Sequence, residues 1–295
     1  MSPQDLDKAV LRLINGAIDT HIHFGPESRL NRKQNALELA KTARETGMRG
    51  IVLKHREYGT AVLAQLVQGL VPEVKVYGSY TMDNEAGGLN PGAVLAWIKL
   101  GAKYIWMPTA TAANSKGKVL RSRNLDLPGE GITILEKGKL KPVVHEILKI
   151  VAEYDVTLGT GHLSPEEHFV LVEEALKAGV KRVVLTHVHC DQLTEVILTN
   201  EQIVRLVKMG AIVECCYWAC HNNIYNTDVK VIADCIKLVG AQHCVMGTDF
   251  GQADNPPAPE GFKMFIKAML EQGIPEKDIE IMVKKNPAKL MKMEE

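Results

Sequence analysis

The chain has no apolar run approaching the roughly 18 residues of a membrane span, so no membrane partner is expected. It also lacks a charge of either sign to spare. Its 35 basic and 35 acidic side chains cancel, leaving no basic excess to recommend nucleic acid or an anionic lipid surface. Cysteine is scarce: six in 295 residues are too few for a disulfide framework, and they read as thiols. The opening Met1-Ser2-Pro3-Gln4-Asp5 lacks the charged and apolar regions of a signal peptide, so the expectation is a soluble, cytoplasmic protein. A glycine-rich dinucleotide turn after an early strand is missing too. The first strand runs instead into His23-Phe24-Gly25-Pro26, which argues against a doubly wound nucleotide-binding sheet.

What the chain does have is 46% apolar residues and a repeated alternation of short apolar runs with helical spacing. Ala17 to Gly25 reads as a strand that places Asp19, His21 and His23 on one face and Ile18, Thr20 and Ile22 on the other. Further strands are read at Gly50–His55, Val74–Tyr80, Lys103–Met107, Val156–His162, Lys181–His187, Ala211–Cys216 and Gln242–Asp249. Between them the i, i+3, i+4, i+7 spacing marks helices, as at Ala36, Leu39, Ala40 and Ala43. Asn90-Pro91 and Ser164-Pro165-Glu166-Glu167 supply helix starts, each with a capping side chain and a proline at the first helical position. Other helices are expected at Asp5–Ile14, Tyr58–Leu70, Glu201–Met209 and Asp228–Val239. Eight parallel strands with helical crossovers predict an α/β chain of the (β/α)8 TIM-barrel class, one domain over residues 1–295. Residues 109–141 form an inserted segment after the fourth strand, with a hairpin at Glu136-Lys137-Gly138-Lys139, serving as a lid or an oligomer contact.

Chemistry on this fold gathers at the carboxyl ends of the strands. His21 and His23 close the first strand, His162 the fifth, His187 the sixth and Asp249 the eighth. The ordered set Asp19-x-His21-x-His23, Gly161-His162, Thr186-His187 and Gly247-Thr248-Asp249, with a late Asn286-Pro287-Ala288, resembles the metal-dependent amidohydrolase superfamily. The resemblance implies an amidohydrolase-like barrel with His21, His23, His162 and Asp249 as metal ligands. It leaves His187 as a second-metal ligand or as the group that polarises the substrate. His189 would replace His187 if the sixth strand ran on.

One departure bears on the metal count. Two-metal members of that superfamily place a carboxylated lysine or a glutamate at the end of the fourth strand, where this chain has Trp106, Met107, Pro108 and Thr109. One ion is therefore expected rather than two. Zinc is the default, with manganese, iron, cobalt or nickel suited to the same nitrogen and oxygen donors. Lys54 is read as a substrate-binding cation or, failing that, as a substitute carboxylated bridge; His55 and Arg32 join it as candidate contacts for a small anionic molecule. Asp19 is read either as a carboxylate orienting an imidazole or as a structural ion pair. His145, His168, His221 and His243 are read as structural, Cys215 and Cys216 as buried thiols, and Cys190 and Cys220 as the thiols nearest the chemistry.

The expected activity is hydrolysis of a C–N or C–O bond in an amide, cyclic imide, lactone or ester, with Asp249 moving the proton from the attacking water to the leaving group. A metal-dependent decarboxylase of a small acid is the alternative, and a catalytically silent ligand-binding barrel the second. The homo-oligomeric state is left open.

Overall fold

The computed structural model describes residues 2–116, 129–189, 198–221 and 227–293. Eight strands make one sheet: β1 (Ile18–His23), β2 (Gly50–Lys54), β3 (Lys75–Thr81), β4 (Ala102–Trp106), β7 (Thr157–Gly159), β8 (Val183–Leu185), β9 (Ile212–Cys216) and β10 (Cys244–Gly247), in that order. A separate antiparallel hairpin, β5 (Leu135–Glu136) and β6 (Lys139–Leu140), lies in the inserted segment, turning through Lys137-Gly138 as the sequence predicts. The polypeptide divides into two compact units. One comprises Met1–Lys54, Leu63–Tyr77 and Cys215–Glu295; the other comprises His55–Val62 and Gly78–Glu214.

In the first unit β1 pairs in parallel with β2, and β2 with β3. Every residue of β1 and β2 is buried, as expected of strands covered on both faces. The opposite side of β1 closes on the chain after β10. There the Asp249 N–H donates to the His21 carbonyl at 2.9 Å, and the His23 N–H to the Phe250 carbonyl at 2.7 Å. Helix α1 (Pro3–Ile14) packs on α9 (Ala258–Glu271). Its start lies earlier than expected because Ser2 caps it, accepting from the Asp5 N–H at 3.2 Å, with Pro3 at the first helical position. Asn286 is buried, and its amide donates to the carbonyls of Ala241, Gln242 and Cys244 at 3.0, 3.2 and 2.7 Å. The Asn-Pro-Ala segment thus braces the turn that launches β10.

In the second unit β3 pairs with β4, β4 with β7, β7 with β8 and β8 with β9, all in parallel. Helices α4 (Pro91–Lys99), α5 (Pro142–Glu153), α6 (Pro165–Lys177) and α7 (Asn200–Met209) follow one another around the outside, each packed on the next. The predicted caps are present. Asn90 accepts from the Ala93 N–H at 3.1 Å, and Ser164 and Glu167 form a reciprocal capping box.

Strands five, six and eight are shorter than the sequence suggests, for an identifiable reason. Thr160 and Thr186 exchange side-chain-to-backbone bonds: Gly161 N–H donates to Thr186 Oγ1 and Thr186 N–H to Thr160 Oγ1, both at 3.0 Å. These bonds lead the backbone out of the ladder into turns that carry His162 and His187. Ahead of β10, Gln242 and His243 lie in a single 3-10 turn rather than in the strand. The third helix is α3 (Ala61–Leu70), so Tyr58 precedes it; α9 and the helices beyond it drew no expectation from the sequence. Among the described residues no helix is long and apolar enough to cross a membrane.

Candidate metal centre

Two clusters of polar side chains occupy strand ends, one in each unit. In the first, His21 and His23 come one pleat apart from β1, and Asp249 from the turn after β10. The Nε2 atoms of both imidazoles lie 3.1 Å from the same oxygen, Asp249 Oδ1. All three residues are buried, and their donor atoms fall within 4.8 Å of one another. Zinc held at about 2.1 Å by tetrahedral donors spaces those donors about 3.4 Å apart. The observed 3.1 Å separations are those of imidazole–carboxylate hydrogen bonds, and a widening of a few tenths of an ångström would bring the three donors to the spacing such an ion needs.

The electrostatics agree with that donor set. Burial acts to raise the Asp249 carboxyl, but the His21 and His23 imidazoles outweigh it and hold the group well below the usual carboxylate range. Burial, reinforced by the Arg32 guanidinium, pushes His23 well below its ordinary value, so its ring is neutral and keeps a lone pair. One anionic oxygen and a neutral imidazole make a fitting partial shell for a divalent ion.

Backbone geometry holds Asp249 in place. Its φ is 53°, in the left-handed region that residues with a Cβ rarely enter. Gln252 donates its amide to the Asp249 carbonyl at 3.0 Å, and Asn255 in turn donates to Gln252 at 2.8 Å. Gly251 must be glycine, because a Cβ there would stand 2.1 Å from the His23 carbonyl oxygen.

Asp19 performs neither of its expected roles. Its carboxylate accepts from the His21 N–H at 3.0 Å, from the Thr248 N–H at 3.1 Å and from the Thr248 hydroxyl at 2.6 Å, so it ties β1 to the chain before Asp249. Burial nevertheless pushes this carboxyl up to about 7, against those bonds. The pairing register of β1 shifts between Asp19 and Ile22, where the His21 N–H turns to this side chain.

Lys54 is only 1% exposed, which rules out a merely solvated lysine; its Nζ sits 2.9 Å from His21 Nε2. Arg32 is an ion-pair partner of Glu27, its side chain 3% exposed. Cys216 is buried as expected, but it also lies next to the cluster, its Sγ 3.8 Å from His21 Nδ1, which the sequence reading did not anticipate. Its signal was its place as the last residue of an apolar strand. Cys220 sits in a 3-10 turn, its thiol pushed up to about 12 by burial and by Asp228. Cys190 lies outside the described residues.

The second cluster pairs His162 with His187. Their Nε2 atoms face each other at 3.0 Å, and both residues are buried. His187 adopts φ 28°, again left-handed. Gly161, at φ 60°, lets the turn cross close over Pro108, whose carbonyl oxygen would stand 2.3 Å from a Cβ at this position. Because β8 ends at Leu185, the condition under which His189 would replace His187 is not met. Burial, then His187, lowers the His189 ring to about 4. His55 is buried against Tyr58, the rings stacked at 3.9 Å, and its Nδ1 accepts from the Glu57 N–H at 3.2 Å. Of the remaining histidines, His168 bonds the Ser164 carbonyl through Nδ1 at 2.9 Å, and His221 lies 5.2 Å from the Phe250 ring.

The architecture is that of a (β/α)8 barrel, shared with several solved structures. An amidohydrolase from Pseudomonas aeruginosa superposes with a TM-score of 0.60 at 14% identity, over 99% of this chain and 98% of that one. The phosphotriesterase homology protein of Escherichia coli, solved with phosphate in its active site, gives 0.59 at 14% identity over 94% and 99%. An engineered organophosphate hydrolase built on a weak promiscuous lactonase template gives 0.57 at 14% over 96% and 97%. At such identities the likeness is one of fold. Within that class, residues 16–214 match the family described as "Family of unknown function (DUF6282)", and the chain belongs to it. No curated protein matches the chain.

Proposed function

We propose that the protein is a metal-dependent hydrolase acting on a C–N or C–O bond of a small, anionic molecule. The observation that carries this reading is the convergence of His21 Nε2 and His23 Nε2 on one oxygen of an ionised, buried Asp249, at 3.1 Å each. These three residues would hold one divalent cation, zinc by default. When bound, the ion supplies a Lewis acid that lowers the pKa of water to about 7 and polarises a carbonyl. Asp249, with one carboxylate oxygen left free, takes the proton of the attacking water and returns it to the leaving group. Lys54 brings a cation into a dry site beside His21, where it would meet an anionic group of the substrate. The lactonase and phosphate-binding neighbours support lactones and other small anionic esters as the first compounds to try.

The test begins with metal. Chelator-stripped protein, reloaded with zinc, manganese, iron, cobalt or nickel, should take up about one equivalent, and less than about half an equivalent with every metal would favour a silent barrel. The loaded protein is then assayed on amides, cyclic imides, lactones, esters and aromatic acids while acid and carbon dioxide release are recorded. Carbon dioxide from an aromatic acid, with no ester or amide turned over, would replace hydrolysis with decarboxylation.

A further inference from the structure

Helix α3 (Ala61–Leu70) turns Ala61, Ala64 and Val67 inward, where all three are buried. Its other side carries Val62, Leu66 and Leu70, which are 46%, 63% and 67% exposed and stand at i, i+4 and i+8. Exposed apolar side chains that occur singly are common and call for no partner. Leu11, Val231, Leu238 and Met264 are of that kind, since each has an acidic residue three or four positions away on its own helix: Asp7, Asp234, Asp234 and Glu260 respectively. Helix α3 has no such neighbour. Its ten residues include no ionisable side chain, which is true of no other α-helix among the described residues. Three apolar side chains in one row on an uncharged helix make a continuous patch, and such patches mark contact surfaces.

The shape of this face selects its occupant. Val62, Leu66 and Leu70 form an i±4 ridge, and the row beside it runs through Gln65 and Gly69, both exposed. A Cβ at Gly69 would meet nothing within 4 Å, so a notch open to solvent borders the ridge. Ridge and notch are the two halves of helix packing in which i±4 rows interdigitate. A second α3, related by a two-fold axis, offers its ridge to this notch and its notch to this ridge. Charge agrees with shape. A two-fold contact brings the middle of the patch against its own copy, where a charge would meet its like, and α3 has none to meet. Just past its end the charges come in both signs, Arg44 lying 4.0 Å from Glu73 and 3.9 Å from Glu45, as in a polar rim around an apolar centre. A helix about 15 Å long covers only part of the roughly 800 Å² per partner in a standard interface, so the contact is weak and depends on concentration.

We propose that α3 is the centre of a two-fold interface between two copies of this chain, with the two Leu66 side chains meeting at the axis. This inference goes beyond the metal reading and needs neither metal nor substrate.

The experiment is sedimentation of the full-length chain from about 1 μM to about 1 mM, over which the mass should double as a dimer forms. Leu66→Lys and Leu66→Glu each place a charge on a side chain that already reaches water, so circular dichroism should show the fold unchanged. Either variant alone should have its dimer Kd raised about 100-fold or more, because like charges then meet at the axis. Mixed in equal amounts, the two variants should dimerise again, one of each, since opposite charges now face each other. Leu11→Lys, on a different helix, should dimerise as wild type does. A wild-type chain that stays monomeric over the whole range overturns the proposal, as does a dimer that survives both Leu66 changes. Two monomeric variants that fail to pair on mixing would show that α3 does not meet α3, and that too would overturn it.

Discussion

Replacing both His21 and His23 with alanine removes two of the three donors that meet within 4.8 Å. Structural zinc sites bind with about 10–16 kcal/mol over four ligands, or about 2.5–4 kcal/mol per donor. Losing two donors therefore costs about 5–8 kcal/mol, a weakening of about 10⁴- to 10⁶-fold. The fold should survive this change with less to spare, because truncating buried side chains costs about 2–5 kcal/mol each and domains hold about 5–15 kcal/mol. Competition against a calibrated chelator measures the affinity, elemental analysis the stoichiometry, and circular dichroism the fold. Linkage gives an independent reading: a thousandfold excess of metal over Kd stabilises wild type by about 4 kcal/mol and raises its Tm, whereas the double variant should not respond. The single change His23→Gln keeps most of the side-chain volume and should show roughly half the loss in binding energy if the double variant is too unstable to handle. A double variant that retains stoichiometric metal would refute the whole assignment.

Three further outcomes are expected. Lys54→Met should raise KM for an anionic substrate with metal content unchanged, while a fall from two ions to one would expose Lys54 as a carboxylated bridge. Thr248→Val removes the 2.6 Å hydroxyl bond to Asp19, so Tm should drop in keeping with a loss of about 1–3 kcal/mol and metal affinity should weaken; unchanged values of both would show that Asp19 does not position the site. His168, buried on α6, is lowered from 6.5 to about 4, chiefly by burial. The unfolded chain therefore binds a proton that the folded chain refuses between those values, and stability is full above pH 6.5 and falls by about 3 kcal/mol as pH drops towards 4. Denaturant titrations of His168→Gln should show a flatter acid limb than wild type, and an identical slope would discount this histidine.

Local signals in the sequence were good guides where one residue type has one mechanical job. Ser164-Pro165-Glu166-Glu167 and Asn90-Pro91 place their helices because a side-chain acceptor and a missing N–H suit a helix start and little else. The pairing of His21 with His23 follows from strand alternation alone. What the sequence concealed depends on backbone leaving regular structure. His162 and His187 read as strand residues, but the Thr160 and Thr186 bonds that lead them into turns involve partners more than twenty positions apart. Cys216 read correctly as a buried thiol, but beyond its place at a strand end nothing announced that it would lie 3.8 Å from His21 Nδ1. The Asp19 carboxylate is reported by its motif, yet its partner Thr248 lies 229 residues away, so its task emerges only in three dimensions.

Asp249 and His187 both hold a backbone angle that glycine or asparagine would adopt more comfortably. Each spends conformational energy on holding one polar side chain at a strand end. A variant of this barrel free of any demand on those two side chains would gain stability by taking glycine at these corners, without any change in its core. The torsion angles at 187 and 249 therefore mark where the chain gives up backbone ease to keep a histidine and a carboxylate.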